Sequence, residues 1–95
     1  MNREQHLLIK LMEECAEVSK LVSKSLIFGL DDHHPDRSST NKEEICHELN
    51  DLYAVVEMLS PYLDFFVPDP VAMEEKKDKV NHYIKYSQHK GITQT

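Results

Sequence analysis

The residues able to do chemistry fall into two acidic clusters, Glu13-Glu14-Cys15-Ala16-Glu17 and Glu48-Leu49-Asn50-Asp51, each inside a stretch that reads as a core-facing helix. A helix turns by about 100° per residue, so Leu7, Leu11, Val18, Leu21 and Val22 share one arc of the first stretch, with Glu14 in its middle. Glu17 sits about 60° to one side, at the edge of the arc, and Glu13 falls further round. On the second stretch Ile45, Leu49, Leu52, Val56 and Leu59 form the arc, Glu48 lies within it, and Asp51 is again offset by about 60°. Burying a carboxylate among leucines costs several kcal/mol per ion unless a counter-charge is supplied. Lys10 is the only lysine on the first face and the second has none, so a hard divalent cation, Mg²⁺ or Mn²⁺, is the natural partner for such oxygen donors. Glu14, Glu17, Glu48 and Asp51 are therefore the expected metal ligands. Acids at i and i+3 on a helix are ordinarily a solvated face; two pairs in matching phase, each intruding on an apolar arc, favour the metal. Glu13 is either an outer neighbour of the site or simply exposed, and Glu44, one turn before Glu48, is in reach of the cluster.

The elements that must position these acids are helical. Residues 3 to about 28 keep a helical period rich in Leu, Lys and Glu, with no Gly or Pro, and Gly29 ends it as a C-cap. Leu30 to Ser39 is polar, contains Pro35 and has no periodicity, which predicts a loop over 29–40. Its Asp31, Asp32, His33 and His34 are neighbours on a loop, a poor arrangement for converging on zinc. Beside a charged site the loop suits a lid, with Arg37 reaching a phosphate. Thr40 followed by Glu43 is a capping box that opens a second helix, running to about Ser60, where Pro61 stops it or opens a further turn. Tyr62 to Pro68 reads as a packed connection or a single helical turn. Asp69-Pro70 supplies an N-cap and an N1 proline for a third helix to about Gln88, with Met73, Val80 and Ile84 as a thin core seam. On that helix Lys76, Lys79, Tyr83, Tyr86 and Lys90 share one face, either a grip for phosphate and base or a solvated lysine face with packed tyrosine rings. The tail 91–95 is expected to fray.

The whole chain, 95 residues with 40% hydrophobic content, is read as one small all-α domain of three to four helices. That is near the size at which a single core is marginal, so a homodimer or homotetramer is expected, pairs of chains packing their first two helices into a four-helix bundle. A net charge of −6 argues against a nucleic-acid polymer as partner, because counterion release needs a basic surface. Acids outnumber bases over residues 1–60, whereas Lys76, Lys77, Lys79, Lys85 and Lys90 face Asp78 alone between 76 and 90. An acidic centre with a basic end suits an anionic ligand gripped through a cation. Cys15 and Cys46, with no apolar leader before them, read as reduced core thiols of a cytoplasmic protein. No apolar run approaches the ~20 residues that span a bilayer.

Glu-Glu-x-x-Glu on one helix and Glu-x-x-Asp on the next, over roughly residues 5–60, resembles the MazG-like superfamily of nucleoside triphosphate pyrophosphohydrolases. The thirty residues between Glu17 and Glu48 are slightly more than that family usually inserts. The resemblance implies Mg²⁺ held by the second and last Glu of the first motif and both acids of the second, here Glu14, Glu17, Glu48 and Asp51. It also implies attack of water on the α-phosphorus of a nucleoside triphosphate, releasing the monophosphate and pyrophosphate. Glu17 is the candidate for orienting or deprotonating that water, with Glu13 as the alternative. Lys10 either pairs with the acids or touches phosphate, Asn50 offers an amide to a base edge, and Lys76, Lys79 and Tyr83 are candidates for the substrate. Within the superfamily the second reading is a phosphoribosyl-ATP pyrophosphohydrolase, from the similar length and a lysine three residues before Glu-Glu. Outside it stands a non-catalytic, metal-stabilised helical interaction module that dimerises through Leu49, Leu52, Val56 and Leu59.

Overall fold

A computed structural model describes residues 1–64 and 66–95. The described chain is all-helical: α1 covers Arg3–Phe28, α2 Asn41–Leu59 and α3 Pro70–His89. Each helix starts where a side chain can take up its orphan amides. At α1 the Asn2 carboxamide accepts from Gln5 N at 2.8 Å while the Gln5 side chain accepts from Asn2 N at 3.0 Å, a capping box that Asn followed three residues later by Gln encodes. At α2 the expected box forms between Thr40 and Glu43. At α3 Asp69 accepts from both Val71 N and Ala72 N, and Pro70 takes the first position, which has no amide to lose. Gly29 closes α1 at φ 103°, where a side chain would be strained, and donates to Ser25 O at 2.9 Å.

The chain divides into two compact units, Met1–Phe65 and Phe66–Thr95. In the first, α1 and α2 pack as an antiparallel pair: Phe28 and Asn41 line one hollow, Glu14 meets Glu48, and Leu7 shares a second hollow with Val55 and Met58. Among the described residues its buried apolar side chains are Leu7, Leu21 and Leu59. Leu11, Val18, Ile45, Leu49, Leu52 and Val56 of the expected arcs are half-buried, while Val22, at the margin of its arc, is exposed. Cys15 and Cys46, expected in the core, are instead exposed free thiols, because each follows or precedes the apolar arc by too large a rotation to share it. In the second unit α3 has no buried residue, and its expected seam of Met73, Val80 and Ile84 is exposed. Turns follow α2, with Tyr62 N and Leu63 N both donating to Leu59 O, so no fourth helix forms there among the described residues; Phe65, within the expected Tyr62–Pro68 connection, lies outside them.

The loop between α1 and α2 is tied down by a single buried amide. Asn41 is 4% exposed; its Nδ2 donates to Gly29 O at 2.9 Å, its Oδ1 accepts from Arg37 Nη2 at 3.2 Å, and its backbone N donates to Asp32 O at 2.7 Å. Lys42 N adds a bond to Leu30 O at 3.0 Å. A buried asparagine immediately after an N-cap thus fastens both ends of the loop to α2. Asn41→Ala leaves the Gly29 carbonyl and an Arg37 donor unmatched, and unfolding in urea is expected to show a loss of about 1–3 kcal/mol. A change below about 0.5 kcal/mol, the range of ordinary surface substitutions, would refute the latch.

Candidate functional site

The carboxylates of Glu14, Glu48 and Asp51 come together midway along the α1–α2 pair, each offering an oxygen within 4.8 Å of the others. Their placement follows from register. Glu14 stands seven residues from each of the buried Leu7 and Leu21, so it projects from the same face as the core. On α2 Glu48 and Asp51 are one turn apart and look towards that face. Glu14 and Glu48 are half-buried, and Asp51 is exposed at the rim. Glu17 is exposed and outside this trio, yet close enough for its charge to act on Glu48. Three of the four expected ligands are therefore brought together, with the fourth at the edge.

The electrostatics of the trio are those of crowded like charges. Burial first, then a hydrogen bond with the Glu14 carboxyl, then repulsion by Glu14, Asp51 and Glu17 hold the Glu48 carboxyl above the ordinary glutamate value. At an effective dielectric of about 20, two carboxylates this close repel by a few kcal/mol, less where water reaches Asp51. Among the described residues no ion pair with Lys, Arg or His reaches any of the three. Such a cluster can share a proton at low pH or gather around a hard divalent cation, whose preference is for carboxylate oxygen. The donor set, all oxygen and without sulfur or imidazole, fits Mg²⁺ or Mn²⁺ and not zinc.

The other expected residues are distributed as follows. Glu13 points away and pairs with Lys10 at 3.0 Å on the exposed side of α1. Glu44 does not join the cluster: it accepts from Ser39 Oγ and lies 3.7 Å from both Arg37 Nε and His47 Nδ1, so its carboxylate serves the loop. Arg37 Nε is buried and has no hydrogen-bond acceptor. Asn50 is exposed beside Asp51. Lys76, Lys79 and Tyr83 belong to the second unit and are exposed on α3, where the Tyr83 ring meets His82 edge-on at 5.4 Å and the Lys90 ammonium lies over the Tyr86 ring at 5.6 Å.

Two hollows flank the trio along the same helix pair. One, of about 460 Å³, lies towards the start of α1 between Leu7, Val55 and Met58, with Arg3, His6 and Lys10 around it. The other, of about 440 Å³, lies beneath the 29–40 loop and is walled by Phe28, Pro35 and the two loop histidines. Neither hollow, nor the Asn41 latch, is readable from periodicity, because each depends on how the loop returns.

A raised glutamate binds its proton more tightly folded than unfolded, so its stabilising effect is complete below the ordinary value of 4.5 and is lost as pH rises through the folded value. Metal-free protein is accordingly expected to melt at a higher temperature as pH falls from neutrality towards 4.5, and Glu48→Gln to flatten that slope. Below 4.5 the trend reverses, since the Thr40 backbone and hydroxyl hold Glu43 below its ordinary value and protonation there weakens the α2 cap. Melting curves across this range check both limbs; a wild-type slope identical to that of Glu48→Gln would refute the crowding. No protein family, curated protein or solved structure matches the chain.

Proposed function

We propose that the chain is a Mg²⁺-dependent nucleoside triphosphate pyrophosphohydrolase of the MazG-like kind, releasing a nucleoside monophosphate and pyrophosphate. The observation that carries the reading is the meeting of Glu14, Glu48 and Asp51, with no ion-paired cation among the described residues, in the order and spacing of the two acidic motifs. Those three carboxylates would hold the metal, with Glu17 completing the set from the edge. What bound Mg²⁺, or Mn²⁺ in its place, supplies is neutralisation of phosphate oxygens and a more acidic water. Glu17 is exposed at the rim and one turn from Glu14, which suits it to orient the attacking water and take its proton. As that oxygen bonds to the α-phosphorus, the bond to the bridging oxygen breaks and pyrophosphate leaves with its electrons. Glu13, tied to Lys10, stands behind as an outer neighbour, and Lys10, one turn before Glu14, is the cation α1 would offer to the phosphates.

The same reading includes self-association. The apolar side chains that the two long helices bury are Leu7, Leu21 and Leu59, while Leu8, Met12, Leu26, Tyr53 and Met58 stay exposed, more apolar surface than a lone pair covers. Packing α1 and α2 against those of a second copy, as a four-helix bundle, removes it from water.

Pyrophosphate release from a panel of nucleoside triphosphates with Mg²⁺ tests the activity. Glu14→Gln, Glu48→Gln and Asp51→Asn are each expected to lower turnover by more than about a hundredfold with the helical content kept, and Glu13→Gln by roughly tenfold or less. Near-normal turnover of Glu48→Gln would sink the metal reading. Sedimentation at micromolar concentration is expected to give a dimer or tetramer; a stable monomer would refute the bundle.

A further inference from the structure

The hollow between the start of α1 and the end of α2 has the make-up of a site for a flat apolar body with a polar edge. Leu7, Val55 and Met58 form its apolar part, Arg3, His6 and Lys10 bring three nitrogen-bearing side chains to the same space, and its volume of about 460 Å³ lies in the range of small-molecule pockets. Leu7 is 5% exposed and Met58 45%, which gives the hollow a closed floor and an open side. All six residues belong to the unit Met1–Phe65.

Position ties this hollow to the acids. Lys10 and Leu7 precede Glu14 by four and seven residues, and Val55 and Met58 follow Asp51 by four and seven, so on both helices the walls stand one and two turns from the carboxylates, about 6 and 10 Å along the axis. The phase agrees. At about 100° per residue Lys10 and Leu7 fall within about 40° of Glu14, and Val55 and Met58 within about 40° of Asp51. The sugar of a nucleotide whose α-phosphate lies at the acids covers that span and brings its base to the hollow. Phe28, the aromatic wall of the hollow under the loop, stands fourteen residues from Glu14, about 21 Å, beyond the reach of that base.

The polar groups divide by role. Lys10, the nearest of them to the acids and paired with Glu13 at 3.0 Å, stands where the phosphates enter. The His6 ring has one donor and one acceptor nitrogen when neutral, so it serves an amino group or an oxygen equally. Arg3, one turn before Leu7, closes the far end; it has no ion pair among the described residues and can only donate, in a fixed fork. Such a fork matches a base edge with two adjacent acceptors, the N7 and O6 of guanine or hypoxanthine, whereas adenine puts an amino group where that oxygen would be.

We propose that the hollow at Leu7, Val55 and Met58 is the nucleoside pocket of the acidic site, and that Arg3 makes it selective for 6-oxopurines. The base packs on Leu7, Val55 and Met58, Arg3 takes its N7 and O6 edge, and Lys10 meets the phosphates that lie at Glu14, Glu48 and Asp51. The proposal rests on the pyrophosphohydrolase reading.

The test is amide and methyl NMR of the full-length protein with Mg²⁺, titrated separately with inorganic tripolyphosphate and with α,β-methylene analogues of guanosine, inosine and adenosine triphosphates. Both kinds of ligand are expected to shift Glu14, Glu48 and Asp51. Only the nucleotides are expected to shift the methyl groups of Leu7, Val55 and Met58, with the guanosine and inosine analogues binding roughly five- to hundredfold tighter than the adenosine one, the range of one bidentate contact. Met58→Ala is expected to weaken nucleotide binding roughly three- to tenfold through lost apolar contact and to leave tripolyphosphate affinity unchanged. Arg3→Gln, whose carboxamide can donate to N7 and accept from an amino group, is expected to turn the preference towards the adenosine analogue. Shifts at the acids with silence at Leu7, Val55 and Met58, or shifts at Phe28 and His34 instead, would overturn the pocket while leaving the acidic site standing. Tighter binding of the adenosine analogue to the unaltered protein, or a preference untouched by Arg3→Gln, would overturn the selection by Arg3. No shift at the acids with any ligand would overturn the parent reading and the pocket with it.

Discussion

The constraint on which this structure turns is the presence of like charges inside an apolar seam. Glu14 occupies a position that packing alone would give to a leucine, midway between the buried Leu7 and Leu21, and it faces Glu48 across the helix pair. Each half-buried carboxylate loses hydration and gains a repulsive neighbour, so the pair pushes the helices apart where the two acids meet. What opposes this is spread along the elements on either side. Leu7 and Leu21 clamp the seam two turns before and after Glu14, Leu59 seals the far end of α2, and side chains cap both helix starts. The Asn41 latch fixes the register in which α2 begins, and with it the phase at which Glu48 and Asp51 meet Glu14.

Most of this was legible in the sequence where the signal is local and periodic. A phase of 100° per residue is enough to put Glu14 and Glu48 on their apolar arcs, and Thr40 with Glu43, or Asp69 with Pro70, announces a helix start by its own hydrogen-bonding chemistry. The wheel also set Glu17 apart from Glu14, and the structure keeps that offset as a carboxylate at the rim. What the sequence hides is side-chain choice among alternatives of similar chemistry. Glu44 shares a face with Glu48, yet Arg37, Ser39 and His47 offer it partners that the acidic cluster cannot. Lys10 had two acids within one turn and took Glu13, the exposed one, where water lowers the cost of holding the pair. The cysteines depart from the expected core because a thiol's usual preference for the interior says nothing about phase, and both lie off the arcs. Asn41 could be found only by knowing that the loop folds back over it.

A protein with so few buried side chains has little stability to spare, which sharpens the question of why acids sit in its seam at all. Glutamine or leucine at Glu14 and Glu48 would keep the helical pattern, fill similar volume and remove the repulsion, so the acids work against the fold that contains them. A local rule broken at the centre of an otherwise consistent pattern points to a ligand that reverses the sign of the interaction. A divalent cation would do so directly, because the same three oxygens that repel one another would attract it. Any ligand that relieved the crowding would thereby be coupled to the packing of the helix pair. The flanking hollow at the loop draws part of its wall, Lys24, Phe28 and Asn41, from the same two helices, whose register also brings the acids together.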